Sequence, residues 1–547
     1  MPCGADDTCS ELSGLEARGF RLDHDPLGRP VRSTAPDGSF STVRHGATVW
    51  TAPVPPGFAS GSALERVRIK SARGAVLERL EDGDRVVRSS VCANELEPLL
   101  EEPPACLEPE HVYSAFDGFG DLTHLFDAVA SSAVGADLPT EGPHVNLFER
   151  DTLGRVVRAV DPNGGPRRAV YDLASRPIAL INARGETRLH AWDPLGRLLS
   201  VETPEDEPDV VLEYVADQRR VASESSLPDG HRLVFRYDEL GRLRQRSEGL
   251  LGGFATRYSR DLAGRIEEIA YPVSDAGVRL RTRYEYEGAY LRRVCDPGEE
   301  QTCASPRQAY LEDVLYDDLG RAERIVMPGG ERTFELDPIT GRLERDRFES
   351  GPGGTYWLER LHADPIDGEL FYDGEGNRTE ILVRDSIGDL PLSQRFTYDR
   401  KGRIDSWEYD GVSYAYEYDL LGNLTTHAGR VQVYDDPERP HAIRSGEDGG
   451  AVYTYDADGN VSTITKAGST RFFDWDSANR LHCEGTSRAA CDVLEVFYDV
   501  SGQRVKEIGN RRRRFVGQDF AYAEDGPVSE RESRIEIFAF GRRVASR

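Results

Sequence analysis

The feature that most constrains this chain is a short turn motif, Asp-x-x-Gly, that recurs along most of its length. One copy lies within Val314–Gly330, which reads VLYDDLGRAERIVMPGG. Asp151 and Asp172 are 21 residues apart, and so are Asp172 and Asp193. A period near 20 residues that persists along a chain indicates a repeat architecture. The fold is therefore expected to consist of many copies of one small unit.

Each part of the motif predicts one step of a β-hairpin. The Asp carboxylate can accept hydrogen bonds from backbone N–H groups two residues on, and the Gly supplies a positive φ. The aromatic residue before the Asp offers a flat surface for a strand face, and the Arg after the Gly begins the next strand. Pro-Gly or Asp-Gly then closes the other end of the hairpin. The turn residues that carry this prediction are Asp151, Gly154, Asp193, Gly196, Asp238, Gly241, Asp317, Gly320, Asp399, Gly402, Asp419, Gly422, Asp456 and Gly459.

The number of repeats limits how such hairpins can be arranged. Residues 151–547 hold about 19 repeats, or about 38 strands, which at ~4.8 Å per strand give a sheet roughly 180 Å wide. Open sheets rarely exceed about 10 strands without curling. The sequence therefore predicts an all-β fold in which repetitive antiparallel β-hairpins form a spiral β-sheet shell, incomplete and open. Two domains are expected: an irregular N-terminal β region with divergent repeats and a Pro-rich acidic insertion over residues 1–112, and the repeat shell over 113–547.

Composition excludes several classes of partner. The net charge is −28 and the pI is about 4.9. Binding to a nucleic-acid backbone needs a basic surface, so no nucleic-acid partner is expected. No run approaches the roughly 18 apolar residues of a membrane helix, so no membrane span is expected. The first residues, MPCGADDTCSELSG, have neither the basic head nor the apolar stretch of a signal peptide.

The eight cysteines fall into four close pairs. Each pair offers only two ligands, whereas a zinc site needs four. Local disulfides are therefore the favoured interpretation, with eight unrelated free thiols as the alternative, and disulfides imply an oxidising compartment. The paired candidates are Cys3 and Cys9, Cys92 and Cys106, Cys295 and Cys303, and Cys483 and Cys491.

The carboxylates do not match the spacing of a known catalytic or metal-binding motif. In Tyr455–Asn460, YDADGN, the glycine is four residues into the loop rather than the six that a calcium loop needs. Gly57–Ala63 places its serine wrongly for a nucleophile elbow. The Asp residues are spread along the chain, whereas a glycosidase needs two at one bond. The sequence predicts no enzyme activity, no cofactor, and no catalytic, cofactor-binding or metal-ligating residue.

Beyond the turn itself, several longer stretches resemble a known family. The motif resembles the YD repeat of the Rhs family, which also supplies the shell of teneurins and of the B and C components of insecticidal toxin complexes. The resemblance covers about residues 113–547 and, weakly, 20–50. The stretches that carry it are Tyr113–Asp127, Arg439–Ser445, Asp474–Leu481, Tyr498–Glu507 and Ile537–Arg547.

The resemblance implies a role in containment. It implies a hollow shell that encapsulates or presents a toxin cargo in a secreted or surface-delivered bacterial protein, so the expected location is extracellular or at the cell surface. The Asp-Pro-x-Gly-Leu stretch of the family's self-cleaving element does not occur, so the chain is expected to be a shell segment without the protease core and toxin. The expected partner is a polypeptide cargo or an adjoining shell segment. A teneurin-like adhesion module, with a surface receptor or glycan as partner, stays open as the alternative.

Overall fold

The fold is known from a computed structural model, which describes most of the chain. The described residues are 21–35, 39–49, 63–71, 75–82, 85–92, 110–117, 119–127, 129, 142–204, 207, 209–216, 219–227, 231–248, 254–273, 279–298, 302–304, 306–351, 356–365, 368–386, 388–389, 392–446, 450–488, 490–509, 512–515, 520–523, 533–539 and 542–546.

Within those residues, 46 strands form two sheets of 23 strands each. The first sheet consists of β1 (Arg21–His24), β2 (Pro30–Thr34), β3 (Phe40–Val49), β4 (Ala63–Lys70), β5 (Val76–Asp82), β6 (Arg85–Val91), β7 (Glu110–Phe116), β8 (Leu122–Phe126), β9 (Val145–Arg150), β10 (Val156–Asp161), β11 (Gly165–Tyr171), β12 (Pro177–Ile181), β13 (Thr187–Trp192), β14 (Leu198–Glu202), β15 (Asp209–Tyr214), β16 (Val221–Leu227), β17 (His231–Tyr237), β18 (Leu243–Glu248), β19 (Phe254–Arg260), β20 (Ile266–Val273), β21 (Arg279–Glu287), β22 (Tyr290–Asp296) and β23 (Gln308–Leu311).

The second sheet begins two residues later. It consists of β24 (Asp313–Tyr316), β25 (Ala322–Met327), β26 (Gly330–Leu336), β27 (Leu343–Ser350), β28 (Trp357–Leu361), β29 (Glu380–Asp385), β30 (Gly388–Asp389), β31 (Gln394–Tyr398), β32 (Ile404–Tyr409), β33 (Val412–Tyr418), β34 (Leu424–His427), β35 (Arg430–Val433), β36 (Ser445–Gly446), β37 (Val452–Tyr455), β38 (Val461–Lys466), β39 (Ser469–Trp475), β40 (Leu481–Gly485), β41 (Leu494–Tyr498), β42 (Arg504–Ile508), β43 (Arg512–Phe515), β44 (Phe520–Ala523), β45 (Ser533–Ala539) and β46 (Arg542–Ser546).

Strands pair with their neighbours in sequence, and the pairing is antiparallel. The hairpins β11–β12, β13–β14 and β39–β40 are examples, each closed by one Asp turn. Among the described strands, no pairing joins the first strand of either sheet to its last strand. The predicted all-β class of repeated antiparallel hairpins, open rather than closed into a barrel, is therefore confirmed.

A bulge marks the aromatic residue that precedes the turn. In β24–β25 the register shifts between Leu315 and Tyr316, and the same shift occurs at Tyr171, Trp192 and Tyr498. A bulge bends its strand and redirects the side chain at that position. The repeat therefore has a fixed irregularity that aims each aromatic ring along the sheet.

Contacts divide the chain into two compact units. Unit 1 holds Met1–Glu149, Val160–Asn163 and Thr333–Asp448, and unit 2 holds Arg150–Ala159, Gly164–Arg332 and Gly449–Arg547. Each unit thus combines an earlier and a later part of the chain, which we call its first and second tiers. In unit 2 the first tier is Gly164–Arg332 and the second tier is Gly449–Arg547, and the repeat turn at Asp151 is counted with the first tier. The predicted division at residue 112 stays a prediction.

Burial is low and local. In unit 1, Val87, Tyr113 and Phe126 belong to one apolar cluster. In unit 2 a second cluster joins β20–β24 to Ile537 of the second tier. By contrast, β10–β13, all of whose residues are described, contain no buried residue. Those strands form a wall that is one sheet thick.

The residue pattern explains how such a thin sheet is stable. In β33 the tyrosines at 414, 416 and 418 are half-buried on one face, while Ser413 and Glu417 are exposed on the other. Large aromatic rings on one face shield each other across neighbouring strands without a second layer. Packing along the sheet therefore takes over part of the role of a packed core.

Candidate functional site

The repeat turn has one geometry, seen clearly at Asp317. Its Oδ1 accepts the backbone N–H groups of Leu319 at 3.0 Å and Arg321 at 2.8 Å. Its Oδ2 accepts Nε of Arg321 at 2.7 Å. The N–H of Gly320 donates to the Asp317 carbonyl at 2.9 Å, and φ of Gly320 is +78°. Both carboxylate oxygens are therefore fully engaged inside the turn.

The structure places all seven predicted Asp–Gly pairs in this arrangement. In each, the Gly N–H donates to the Asp carbonyl at 2.9–3.2 Å, and the Gly φ lies between +76° and +88°. At the degenerate copies, Ser175 and Asn479 take the Gly position with φ of +61°. Asn423 and Asn460 replace the Arg after the Gly and donate through Nδ2 to Oδ2 of the Asp.

In three repeats the arginine of the motif, at positions 155, 176 and 480, links its turn to the next, a role that the sequence interpretation missed. Nη1 of Arg155 donates to the carbonyl of Asp172 at 2.9 Å, and Nη1 of Arg176 donates to that of Asp193 at 2.8 Å. The guanidinium of Arg155 also lies 4.9 Å from the centre of the Tyr171 ring. A guanidinium has enough donors to serve its own Asp and the next turn together. The signal was visible as an Arg that recurs four residues after the Asp.

The aromatic residue before the Asp carries a second link between repeats. Tyr171 Oη donates to the Val156 carbonyl at 3.0 Å, and Trp192 Nε1 donates to the Pro177 carbonyl at 2.8 Å. This bond occurs in both tiers. The same bond is made by Tyr214, Tyr237, Tyr286, Tyr316, Tyr372, Tyr398, Tyr418, Trp475 and Tyr498.

These contacts lower the pKa of turn carboxyls such as those of Asp317 and Asp151. The backbone N–H and then the guanidinium of Arg321 stabilise the ionised carboxylate, which holds the pKa of Asp317 below its ordinary value despite partial desolvation. At Asp151 the hydrogen bond from the Arg155 guanidinium is the largest cause of a lowered pKa. A carboxyl whose pKa is lowered in this way stays charged at neutral pH and does not suit proton transfer.

In unit 2 the two tiers meet at a polar seam. Arg184, in the turn after β12, donates to the carbonyls of Trp475 at 2.8 Å and Asp476 at 2.7 Å. Its Nε lies 2.9 Å from Oδ2 of Asp458, whose Oδ1 accepts the N–H of Ala183 at 2.7 Å. The residues that meet here are more than 270 positions apart. We call the turn at the end of a hairpin opposite the Asp turn a return turn. The contact therefore joins a return turn of the first tier to repeat turns of the second tier.

Two glutamates extend the seam. Glu207 accepts the Ser477 N–H at 2.6 Å and the Ser477 hydroxyl at 2.7 Å. Glu224 accepts the Val500 N–H at 2.6 Å. Burial is the main cause that raises the pKa of Glu224 to about 7; the neighbouring Asp499 adds to this effect and the Val500 N–H opposes it. Burial also raises the pKa of Glu207. At Glu224 the seam thus contains a carboxyl that titrates near neutrality.

Unit 1 has a seam of the same kind. Glu110, at the start of β7, binds Nη2 of Arg400 and Nζ of Lys401, each at 2.5 Å. Burial raises the pKa of Glu110, and these two cations more than offset it, so the net pKa is lowered. Ser39 donates through its hydroxyl to the Gly374 carbonyl at 3.2 Å. Here too the second tier contributes its repeat turns.

The cysteine candidates are only partly within the described residues. Cys295 and Cys303 are disulfide-bonded with Cα atoms 5.7 Å apart, and Cys483 and Cys491 with Cα atoms 5.3 Å apart. Cys92 is also disulfide-bonded. Cys3, Cys9 and Cys106 lie outside the described residues, as does the acidic insertion at Ala93–Ala105.

Two further properties bear on the site. Among the described residues, no group of three His, Cys, Asp or Glu side chains is placed to hold a metal ion. In the same part of the chain, no helix is both long enough and apolar enough to cross a bilayer.

Comparison with known proteins gives one curated relative and a set of solved structures. No family model matches the chain. "Double-stranded DNA deaminase toxin A" of Burkholderia cenocepacia (strain H111) is 25% identical over 297 residues, covering 51% of this chain and 18% of that protein. The crystal structure of TcdB2-TccC3-TEV matches 97% of this chain and 28% of its own chain, with a TM-score of 0.65 at 14% identity. TcdB2-TccC3 matches with a TM-score of 0.62 and TcdB2-TccC3-Cdc42 with 0.61, each at 14% identity.

These likenesses fix the fold. The TcdB2-TccC3 structures are toxin-complex shells of the Rhs/YD type, so the resemblance read from the sequence is confirmed at the level of fold. The chain spans less than a third of the length of the solved chains and about a fifth of the curated toxin. Its neighbours in fold are shell scaffolds, and its curated relative is a toxin.

Proposed function

We propose that this chain is a non-enzymatic wall segment that encloses or presents a polypeptide cargo in a secreted or surface-delivered bacterial protein. The observation that carries the proposal is the wall that is one sheet thick, held together by links along the sheet rather than by a central core. A sheet hydrated on both faces buries little apolar surface for its size. A container needs an extended thin wall, and it does not need a packed central core.

The repeated aspartates fit a structural role. Each turn Asp is bound by two or three donors, and the pKa of the turn carboxyls at positions 151, 193, 238, 317 and 399 is lowered. Catalytic acids and bases need a pKa near the working pH. Glu224 has such a pKa, but it binds a backbone N–H and faces Arg246, Arg480 and Asp499. That set contains no nucleophile for the carboxylate to activate.

The tier seams supply what a closed container requires. Successive tiers must adhere, otherwise the cargo would reach solvent between them. Arg184 and Glu207 bind backbone and hydroxyl groups of the repeat turns above them in unit 2, and Glu110 binds two cations in unit 1. The location outside the cytoplasm is supported by the local disulfides, because such bonds persist in oxidising compartments.

Protease protection tests the proposal. The natural gene product that contains this chain is digested with a broad-specificity protease, and cargo fragments are followed by mass spectrometry. We expect the cargo to remain intact while the wall is intact, and to be cut in Arg184→Ala, which loses the bonds that Arg184 makes to Trp475, Asp476 and Asp458 in the seam of unit 2. Arg167→Ala, an exposed arginine on β11, is the matched control and should protect cargo fully. Cargo cut at the rate of the free cargo in the unaltered protein refutes enclosure.

The adhesion alternative has a separate readout. A wall that binds cells or immobilised glycans through its outer face, with no protected cargo, would support a teneurin-like adhesion module with a surface receptor or glycan as its partner. The same preparation serves both measurements.

A further inference from the structure

In unit 2 a recess of about 230 Å³ lies between the two tiers. Strands β13, β14 and β15 line it from the first tier, and β40, β41 and β42 line it from the second tier. The recess adjoins the polar seam, because Glu207 and Ser477, which bind each other across the seam, both line it. A molecule in this recess would therefore contact both tiers.

Much of the recess wall is aliphatic. Val201 and Val210 lie directly opposite each other on β14 and β15, and Val201 is 7% exposed. On the second-tier side, Val496 and Val505 are 3% and 2% exposed. Leu198 adds a further aliphatic side chain. Sites that bind small molecules combine such apolar walls with a few convergent polar groups.

Arg188, on β13, brings a positive charge to the recess. Among the described residues, no carboxylate forms an ion pair with its guanidinium and no group hydrogen-bonds to it. By contrast, Arg480 on the facing tier is paired with Asp476 at 2.6 Å. Burial and then the charge of Arg480 lower the pKa of Arg188, whereas Asp476 and Glu207 oppose this effect. An anion bound at Arg188 would relieve the cost of burying its charge.

His190 offers a second polar group beside Arg188. The two residues are two positions apart on β13, so their side chains share one face of the strand, and both line the recess. Nδ1 of His190 is buried without a hydrogen-bond partner among the described residues. Burial and then the Arg188 guanidinium lower the pKa of His190, and the backbone of Arg188 only partly opposes them. The ring is therefore neutral at neutral pH and can donate one N–H.

The acidic residues of the recess limit the charge of a ligand. Glu207 and Asp476 both line it, and each would repel a second negative charge. A monoanion is therefore favoured over a dianion. A carboxylate carries one negative charge and can accept two parallel N–H groups from a guanidinium.

We propose that this recess binds a small carboxylic acid, with the carboxylate on Arg188 and His190 and an apolar body against the valines of both tiers. The inference goes beyond the proposed shell function and does not depend on it. Because the ligand would contact both tiers of the folded chain, its binding should also stabilise unit 2.

Isothermal titration calorimetry on the natural gene product that contains this chain tests the proposal. Four probes separate the charge from the apolar body: hexanoate, acetate, hexan-1-ol and inorganic phosphate. We expect hexanoate to bind at one site per chain and at least about tenfold more tightly than each of the others, because it alone combines one negative charge with an apolar body. No binding of hexanoate, or equally tight binding of any other probe, would overturn the inference.

A pair of variants locates the bound carboxylate. Arg188→Gln should weaken hexanoate binding at least about tenfold, because it removes the positive charge. The matched control is Arg236→Gln, at an exposed position on β17 in the same tier, and it should leave the affinity unchanged.

Thermal unfolding separates binding from a structural role of the arginine. Without a probe, Arg188→Gln should unfold at the same midpoint as the unaltered chain, because no described group binds the Arg188 guanidinium. Hexanoate should raise the midpoint of the unaltered chain and of Arg236→Gln, but not that of Arg188→Gln. Equal hexanoate affinity in Arg188→Gln and the unaltered chain would refute the assignment. The comparison of the four probes needs no variant, so it decides the matter even if Arg188→Gln fails to fold.

Discussion

The glutamate at the unit 2 seam predicts a specific pH dependence of stability. Glu224 has a folded pKa of about 7 against an ordinary value of 4.5, chiefly because it is buried. The folded chain therefore holds a proton that the unfolded chain has lost between those pH values. Stability from this group is fully present below about pH 4.5 and is lost as the pH rises through 7. The gap corresponds to about 3 kcal/mol, at about 1.36 kcal/mol for each pKa unit.

Glu224→Gln removes this titration while keeping an oxygen that can accept the Val500 N–H. We expect the variant to exceed the unaltered chain by about 3 kcal/mol in free energy of unfolding at pH 8.5, and to match it within about 0.5 kcal/mol at pH 4.5. Urea unfolding followed by tryptophan fluorescence, to which Trp192 and Trp475 contribute in unit 2, measures this. Glu202→Gln, at an exposed position on β14, is the control and should change neither value. An equal pH dependence in Glu224→Gln and the unaltered chain would refute the reasoning.

Three further predictions follow from the repeat turn and its neighbours. Gly320→Ala should lower the free energy of unfolding by about 1–3 kcal/mol in urea titration, because φ is +78° and the new Cβ would lie 2.7 Å from Tyr290 Oη; Gly329→Ala, with nothing within 4 Å, should cost far less. Arg176→Lys should cost about 1–2 kcal/mol, because lysine cannot bind both the Asp172 carboxylate and the Asp193 carbonyl, and an unchanged midpoint relative to Arg167→Lys would contradict the linking role. Replacing Cys295 and Cys303 together by serine should lower the free energy of unfolding by about 2.5 kcal/mol in the loop-entropy model. In the unaltered exported protein, intact mass after thiol labelling should show that these two thiols react only after reduction.

Local features of this fold could be predicted from the sequence because they are encoded within a few residues. The Asp and Gly of each turn lie three positions apart, and their hydrogen bonds close within five residues. The 20-residue period likewise follows from one hairpin. In the turns at Asp317 and Asp193, the glycine φ is positive and the glycine N–H donates to the Asp carbonyl.

The links between repeats were harder to predict. Arg155 was expected only to begin a strand, yet it also binds the carbonyl of Asp172, 17 positions later. The recurrence of Arg was visible, but its second partner depends on how neighbouring hairpins stack. The same applies to the Tyr171 hydroxyl, which reaches back 15 positions through a bulge that the sequence pattern does not reveal.

The seams could not be predicted, for a physical reason. Arg184 and Asp476 are 292 positions apart, and no local propensity connects them. The number of residues between the two tiers decides which turns meet. That number is the sum of many strand and loop lengths, so a small change in any loop changes the contact.

Electron cryo-microscopy of the natural gene product that contains this chain tests the central claim most directly. The account predicts a wall one sheet thick around a cavity, with density for a polypeptide inside it and with Arg184 bound to the turn at Asp476. A solid interior filled by the wall's own side chains, or a cargo domain wholly outside the wall, would contradict it.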